Sequence, residues 1–267
     1  MLKFWLSGEK YMKRFIKYLM LILVCGAATF AQTATDCQAE KAKIAQYETK
    51  LSDWAQLGRY RAADGKIQPP AKDEKRVVFV GDSITDGWKL AEYFPGKSYI
   101  NRGISGQTTP QMLIRFRADV IELKPKAVVI LAGTNDIAGN TGQMTLEDTA
   151  QNIISMAELA RANGIRVVLS AVLPVNDRTR NQKGELVIQT KKRPNETIVR
   201  MNDWIKKYAA DNNLIYLDYY AATAEKDGTL RDGISYDGLH PNADGYKIMQ
   251  SLAESAIARV LKQPAKK

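Results

Sequence analysis

The chain has 267 residues, enough for one α/β domain with a substantial core and few for two. Its 45% hydrophobic and 25% charged residues are ordinary for a globular protein. The net charge of +10 is dispersed apart from Lys191-Lys192-Arg193 and is not interleaved with aromatics, which argues against a nucleic-acid surface.

The first 31 residues read as an export signal. Lys13, Arg14 and Lys17 precede an apolar run that opens with Leu19-Met20-Leu21-Ile22-Leu23-Val24-Cys25, and cleavage is expected after Ala31. Met12 is an alternative start, since Met1–Tyr11 adds nothing such a signal needs. The stretch from Tyr18 to Ala31 is shorter than the roughly 18–20 residues that span a bilayer, so no membrane span is expected after cleavage. Val24 stands before Cys25 where a lipoprotein signal would carry a small residue, which disfavours lipid anchoring. These 31 residues hold five basic side chains and Glu9, so their removal lowers the charge from +10 to +6. Only Cys37 would then remain, which excludes an internal disulfide and disfavours a cysteine metal site.

Residues 32–72 read as an N-terminal helix and a linker. Ile44, Tyr47, Leu51 and Trp54 recur at helical spacing within Asp36–Leu57, the pattern of a helix packed across the domain. Pro69-Pro70 marks the linker Gly65–Lys72. From 73 to 262, short apolar runs alternate with amphipathic stretches. Strands are expected at Arg76–Val80, Ser98–Asn101, Ala127–Ala132, Arg166–Val172 and Leu214–Asp218. Helices are expected at Thr109–Leu123, Leu146–Asn163, Glu196–Asn212 and from Asn242 to about Leu261. Continuous apolar strands separated by helices indicate a five-stranded parallel sheet covered on both faces, a three-layer α/β/α sandwich.

Such sheets bind ligands beyond the carboxyl ends of their strands, so chemistry is expected in the residues there. The first strand ends in Gly81-Asp82-Ser83-Ile84-Thr85, where Ser83 is either an exposed nucleophile or a helix N-cap. The second ends in Asn101-Arg102-Gly103, where Gly103 offers a close backbone N–H or makes a plain turn. The third ends in Gly133-Thr134-Asn135-Asp136, whose Asn135 amide is an oxyanion donor or a turn residue. Before the last helix stands Asp237-Gly238-Leu239-His240-Pro241. His240 is the single histidine, so any proton transfer by imidazole has one address, and Asp237 is positioned to orient it.

These four blocks, in this order, resemble the SGNH hydrolases, also called the GDSL lipase/acylhydrolase family. The resemblance implies the flavodoxin-like fold of that family and a serine ester hydrolase. It implies that Ser83 is the nucleophile, His240 the base and Asp237 its orienting acid. The oxyanion hole would comprise the N–H groups of Ser83 and Gly103 and the Asn135 side chain. It implies neither cofactor nor metal. Asp82, Asp86 and Asp136 are read as groups that hold turns rather than as catalytic acids.

For the substrate, the polar segment 174–194 is long enough to roof the site, and Arg178 and Arg180 within it are candidate contacts. Trp88 and Tyr93 follow the nucleophile and either stack on a sugar or belong to the core. The favoured reading is an exported esterase, periplasmic or extracellular, that removes acetyl or other short acyl groups from small-molecule or saccharide esters. One alternative is a lysophospholipase, thioesterase or platelet-activating-factor-acetylhydrolase-like enzyme. Another is a non-catalytic carbohydrate-binding protein on the same fold. Nothing in the chain points to an oligomeric state.

Overall fold

The computed structural model describes residues 37–48 and 51–263, together with Met12 and Lys17. The remainder of the expected signal lies outside the described residues. The chain divides into two units, Met1–Trp54 and Ala55–Lys267. In the first, residues 37–48 are helical, and the row expected to form a packed face, Ile44, Tyr47 and Leu51, is exposed.

The second unit contains the sheet. Its strands are β1 (Val77–Gly81), β2 (Tyr99–Gly103), β3 (Ala127–Leu131), β4 (Arg166–Ser170) and β5 (Ile215–Leu217). They stand in the order β2-β1-β3-β4-β5, and every neighbouring pair is parallel. The helices are α1 (Gly58–Asp64), α2 (Ser83–Asp86), α3 (Leu90–Tyr93), α4 (Thr109–Phe116), α5 (Thr134–Ile137), α6 (Leu146–Ala162), α7 (Asn195–Asp211), α8 (Tyr219–Thr223) and α9 (Ala243–Lys262). A π-helical turn, Arg117–Ile121, prolongs α4, so the expected helix from Thr109 is present as two pieces. Helix starts follow their capping chemistry. Thr108 and Gln111 form a capping box on α4, and Thr145 and Asp148 form another on α6. Asn242 caps α9, its side chain accepting from the N–H groups of Asp244 and Gly245.

Side chains alternate across the strands, and in the central strands β1 and β3 they are buried on both faces. Val78, Val80, Val128 and Ile130 pack with Met112, Phe116, Ile153 and Met201 from α4, α6 and α7. Val77, Phe79, Val129 and Leu131 pack with Trp88, Phe94, Met249 and Ile257 on the opposite face. No helix among the described residues is long and apolar enough to cross a membrane.

β1 and β2 each run into the glycine that the sequence places in a turn. Gly81 pairs with Gly103 at the carboxyl edge. A Cβ on Gly81 would collide with Thr85 Oγ1, and one on Gly103 would collide with the Asp86 nitrogen. The missing side chains therefore let α2 settle directly on the strand ends. The chain passes from β1 to β2 on one side and returns to β3 on the other, which opens a crevice at the switch point beside Ser83.

Candidate active site

Ser83 begins α2 immediately after β1. Asp82, not Ser83, caps this helix: its carboxylate accepts from the Ile84 N–H at 2.9 Å. The Ser83 hydroxyl is not spent on capping and lies 2.9 Å from His240 Nε2. His240 Nδ1 lies 2.8 Å from Asp237 Oδ2. The other Asp237 oxygen accepts from the backbone N–H groups of His240 (2.8 Å) and Leu239 (3.1 Å). Burial pushes the Asp237 carboxyl up, but the bonds from the His240 ring and these backbone groups outweigh it and hold it at about 2.

The loop that carries Asp237 and His240 has little freedom. Gly238 adopts φ +79°, and a Cβ there would collide with the Asn176 carbonyl oxygen. Asn176 closes the contact from the other side, donating its N–H to the Gly238 carbonyl. Gln189 Nε2 donates to the Asp237 carbonyl at 3.1 Å.

Asn135 lies in the short helix after β3 and is buried. Its Nδ2 donates to the Gln107 carbonyl at 3.1 Å, and its Oδ1 accepts from Arg193 Nη2 at 3.0 Å. With the oxygen so assigned, the second Nδ2 hydrogen has no partner among the described residues. Gly103 departs from expectation. Its N–H donates to Asn101 Oδ1 at 2.8 Å, so it is committed within the fold and not to a substrate. Three residues on, Gly106 is exposed, adopts φ +80°, and its N–H has no partner among the described residues. It lies between Ser105, which lines the cavity beside Ser83, and Gln107, which holds the Asn135 amide.

That cavity, of about 640 Å³, is lined by Ser83 and His240 together with Asp86, Lys89, Glu92, Tyr93, Ser105, Tyr236 and Tyr246. Of the expected substrate contacts, Tyr93 is there and Trp88 is not. Trp88 is 3% exposed and packs among Phe79, Phe94 and Tyr246, so it supports the site from beneath and cannot touch a ligand. Arg178 and Arg180 are also absent from the lining. The guanidinium of Arg178 is engaged by Asp227, Asp232 and Thr229, and that of Arg180 by the Gly184 carbonyl. The segment 174–194 reaches the site through its returning end, with Gln189 and Arg193; the sequence marks Arg193 only as part of a basic run and does not mark Gln189. Two further residues at the site carry no sequence signal: Tyr236, 68% exposed at the lip, and Tyr246, whose hydroxyl donates to the Ile84 carbonyl. Tyr236 directly precedes Asp237 in the loop that carries the relay, and Tyr246 is brought in by α9; no local pattern sets either apart from its neighbours.

The remaining acids hold loops. Asp86 accepts from the Ser105 N–H and hydroxyl, and Asp136 from the Thr109 N–H and hydroxyl. Asp82 is buried, and burial pushes its carboxyl up to about 6 against the opposing Ile84 N–H and the positive fields of His240 and Arg193. A carboxyl whose pKa is higher folded than unfolded favours the fold below its unfolded value and loses that advantage as pH rises from about 4 through about 6. Asp82→Asn keeps an acceptor for Ile84 and has no charge to bury. Melting temperatures should coincide at pH 4, and the variant should melt several degrees higher at pH 8. A difference independent of pH would contradict this.

The family model described as GDSL-like Lipase/Acylhydrolase family matches residues 79–248. The crystal structure of a GDSL-like lipase from Bacteroides thetaiotaomicron is 41% identical, with a TM-score of 0.69 over 77% of this chain and 98% of that one. Esterase TesA of Pseudomonas aeruginosa is 37% identical over 115 residues, 38% of this chain and 56% of that protein. An acetylxylan esterase of Geobacillus stearothermophilus is 24% identical over 215 residues, 66% of this chain and 90% of that protein. The match spans about half the length of three of the curated relatives, the Pseudomonas esterase among them.

Proposed function

The chain belongs to the GDSL-like lipase/acylhydrolase family, and from that premise we propose that it is an exported serine esterase that removes acetyl or other short acyl groups from saccharide esters. The observation that carries the reading is the relay from Ser83 Oγ through His240 to Asp237, at 2.9 and 2.8 Å. Ser83 Oγ attacks the ester carbonyl carbon while His240 Nε2 takes its proton. The tetrahedral oxyanion is met by the Ser83 and Gly106 N–H groups and the Asn135 amide, with Gly106 replacing Gly103 in that role. His240 then protonates the leaving alkoxide, leaving an acyl-enzyme. A water that gives its proton to the same nitrogen releases the acid and restores Ser83. Residues 1–31 serve as the export signal, residues 32–72 as helix and linker, and 73–262 as the hydrolase domain.

The cavity rim supports this choice of substrate class. Asp86, Lys89, Glu92 and Ser105 suit a hydroxyl-rich alcohol better than an acyl chain, and Tyr93 and Tyr236 offer ring faces for a sugar. The acetylxylan esterase relative supports the same class. The test is a series of nitrophenyl esters from acetate to octanoate, together with acetylated xylo-oligosaccharides. Turnover should peak at acetate, vanish by octanoate, and release acetate from the oligosaccharides. A maximum at octanoate would favour the lysophospholipase or thioesterase alternative.

A further inference from the structure

Arg193 is a cation buried in an unusual setting. It is 8% exposed, yet no carboxylate pairs with it among the described residues; its guanidinium rests on three neutral oxygens. Nε donates to Thr134 Oγ1 (3.2 Å), Nη1 to Gln189 Oε1 (3.3 Å) and Nη2 to Asn135 Oδ1 (3.0 Å). Asp82 and Asp237 act on it only at longer range. A buried charge without an ion pair is costly to the fold, so its placement calls for another benefit. Here that benefit lies one amide away, where negative charge would develop on a substrate oxygen.

We propose that Arg193 is a positioning residue for the oxyanion site: its guanidinium fixes and polarises the Asn135 amide and, through Gln189, joins that amide to the backbone of Asp237. Drawing electron density toward Oδ1 strengthens the free Nδ2–H as a donor. It also settles which way the amide faces, since a reversed Asn135 would set its NH₂ against the guanidinium. Gln189 completes the tie, accepting from Arg193 and donating to the Asp237 carbonyl. One guanidinium thereby holds the oxyanion donor in register with the acid of the relay. This inference rests on reading Asn135 as an oxyanion donor, and the experiment separates the two.

The test is a double-mutant cycle on nitrophenyl acetate with Asn135→Ala, Arg193→Met and the pair, alongside Arg193→Lys. Asn135→Ala should lower kcat about 100- to 1,000-fold. Arg193→Met should lower kcat about 10- to 100-fold, the scale of one charge-assisted bond, with KM within about threefold. In the Asn135→Ala background the same change should cost less than about threefold, because the amide it acts through is gone. Arg193→Lys, which keeps the charge, should recover part of the loss. A merely structural role would instead lower kcat by the same factor in both backgrounds, and that outcome overturns the proposal. So would an Arg193→Met kcat within threefold of the parent. If Arg193→Met does not fold, Arg193→Gln takes its place in the cycle, and failure of both to fold would mark the charge as structural and also overturn it. An unchanged kcat in Asn135→Ala would refute the oxyanion reading itself.

Discussion

His240→Ala is expected to lower kcat by about a millionfold on any ester the protein turns over, with little change in melting temperature. The size follows from how much depends on this ring. Ser83 has its hydroxyl 2.9 Å from His240 Nε2, and the chain has no second histidine to accept that proton. Without it, attack would require an alcohol with a pKa far above neutral to ionise unaided. Folding should be spared because His240 is half-buried at the rim of the cavity. Among the described residues its ring bonds only with Ser83 and Asp237, and its backbone N–H still donates to Asp237 in the variant. Two measurements check this: steady-state turnover, and labelling of Ser83 by a fluorophosphonate, which needs the same activated oxygen. Both should fail in the variant. Brisk labelling without His240 would mean that Ser83 is activated by another group.

The layers of the fold were legible in the sequence because burial on both faces writes itself into continuous apolar strands. Val77–Val80, Val128–Leu131 and Val167–Leu169 leave little choice of element. The site was legible for a different reason: Ser83, Asn135 and His240 each lie in a short block immediately after a strand or before a helix, so local order gives their place. What failed was anything decided by contacts across the fold. Gly103 ends β2 and Gly106 follows three residues later; what separates their roles is the Asn101 side chain, which occupies the N–H of the first, and the exposed, left-handed turn at the second. Trp88 reads in one dimension as either a sugar platform or a core residue, and only the turn of the chain after α2, which sets it inward onto Phe79, decides for the core. Arg193 is the last cation in a basic run that reads as solvated surface. Its burial depends on Thr134, Asn135 and Gln189, of which the first two lie nearly sixty residues away. The apolar spacing of Ile44, Tyr47 and Leu51 did produce a helix at 37–48, but periodicity alone cannot say what such a face meets.

Asp237→Asn is the second large effect, a loss of about 10⁴-fold in kcat, less severe than removal of the imidazole. The side chains differ by little more than one group, NH₂ for O⁻, and the geometry shows why that matters. Asp237 Oδ1 accepts two backbone N–H groups, which an asparagine oxygen can continue to satisfy. That choice turns the new NH₂ toward His240 Nδ1, where a donor now faces a position that had donated. The ring answers by moving its proton to Nε2. It then presents a hydrogen to Ser83 where it must present a lone pair, and base catalysis stops although every heavy atom stays in place. The carboxylate is well suited to its task because it is held at about 2 and remains ionised throughout the range in which an esterase works. Its stability contribution has the usual sign for a depressed acid: present above its unfolded value near 4, and lost as pH falls through about 2. Asp237→Asn should therefore flatten the fall in melting temperature between pH 4 and pH 2 while it removes turnover at pH 7. Activity within tenfold of the parent would show that the His240 tautomer does not depend on the carboxylate, and would remove the carboxylate from the mechanism.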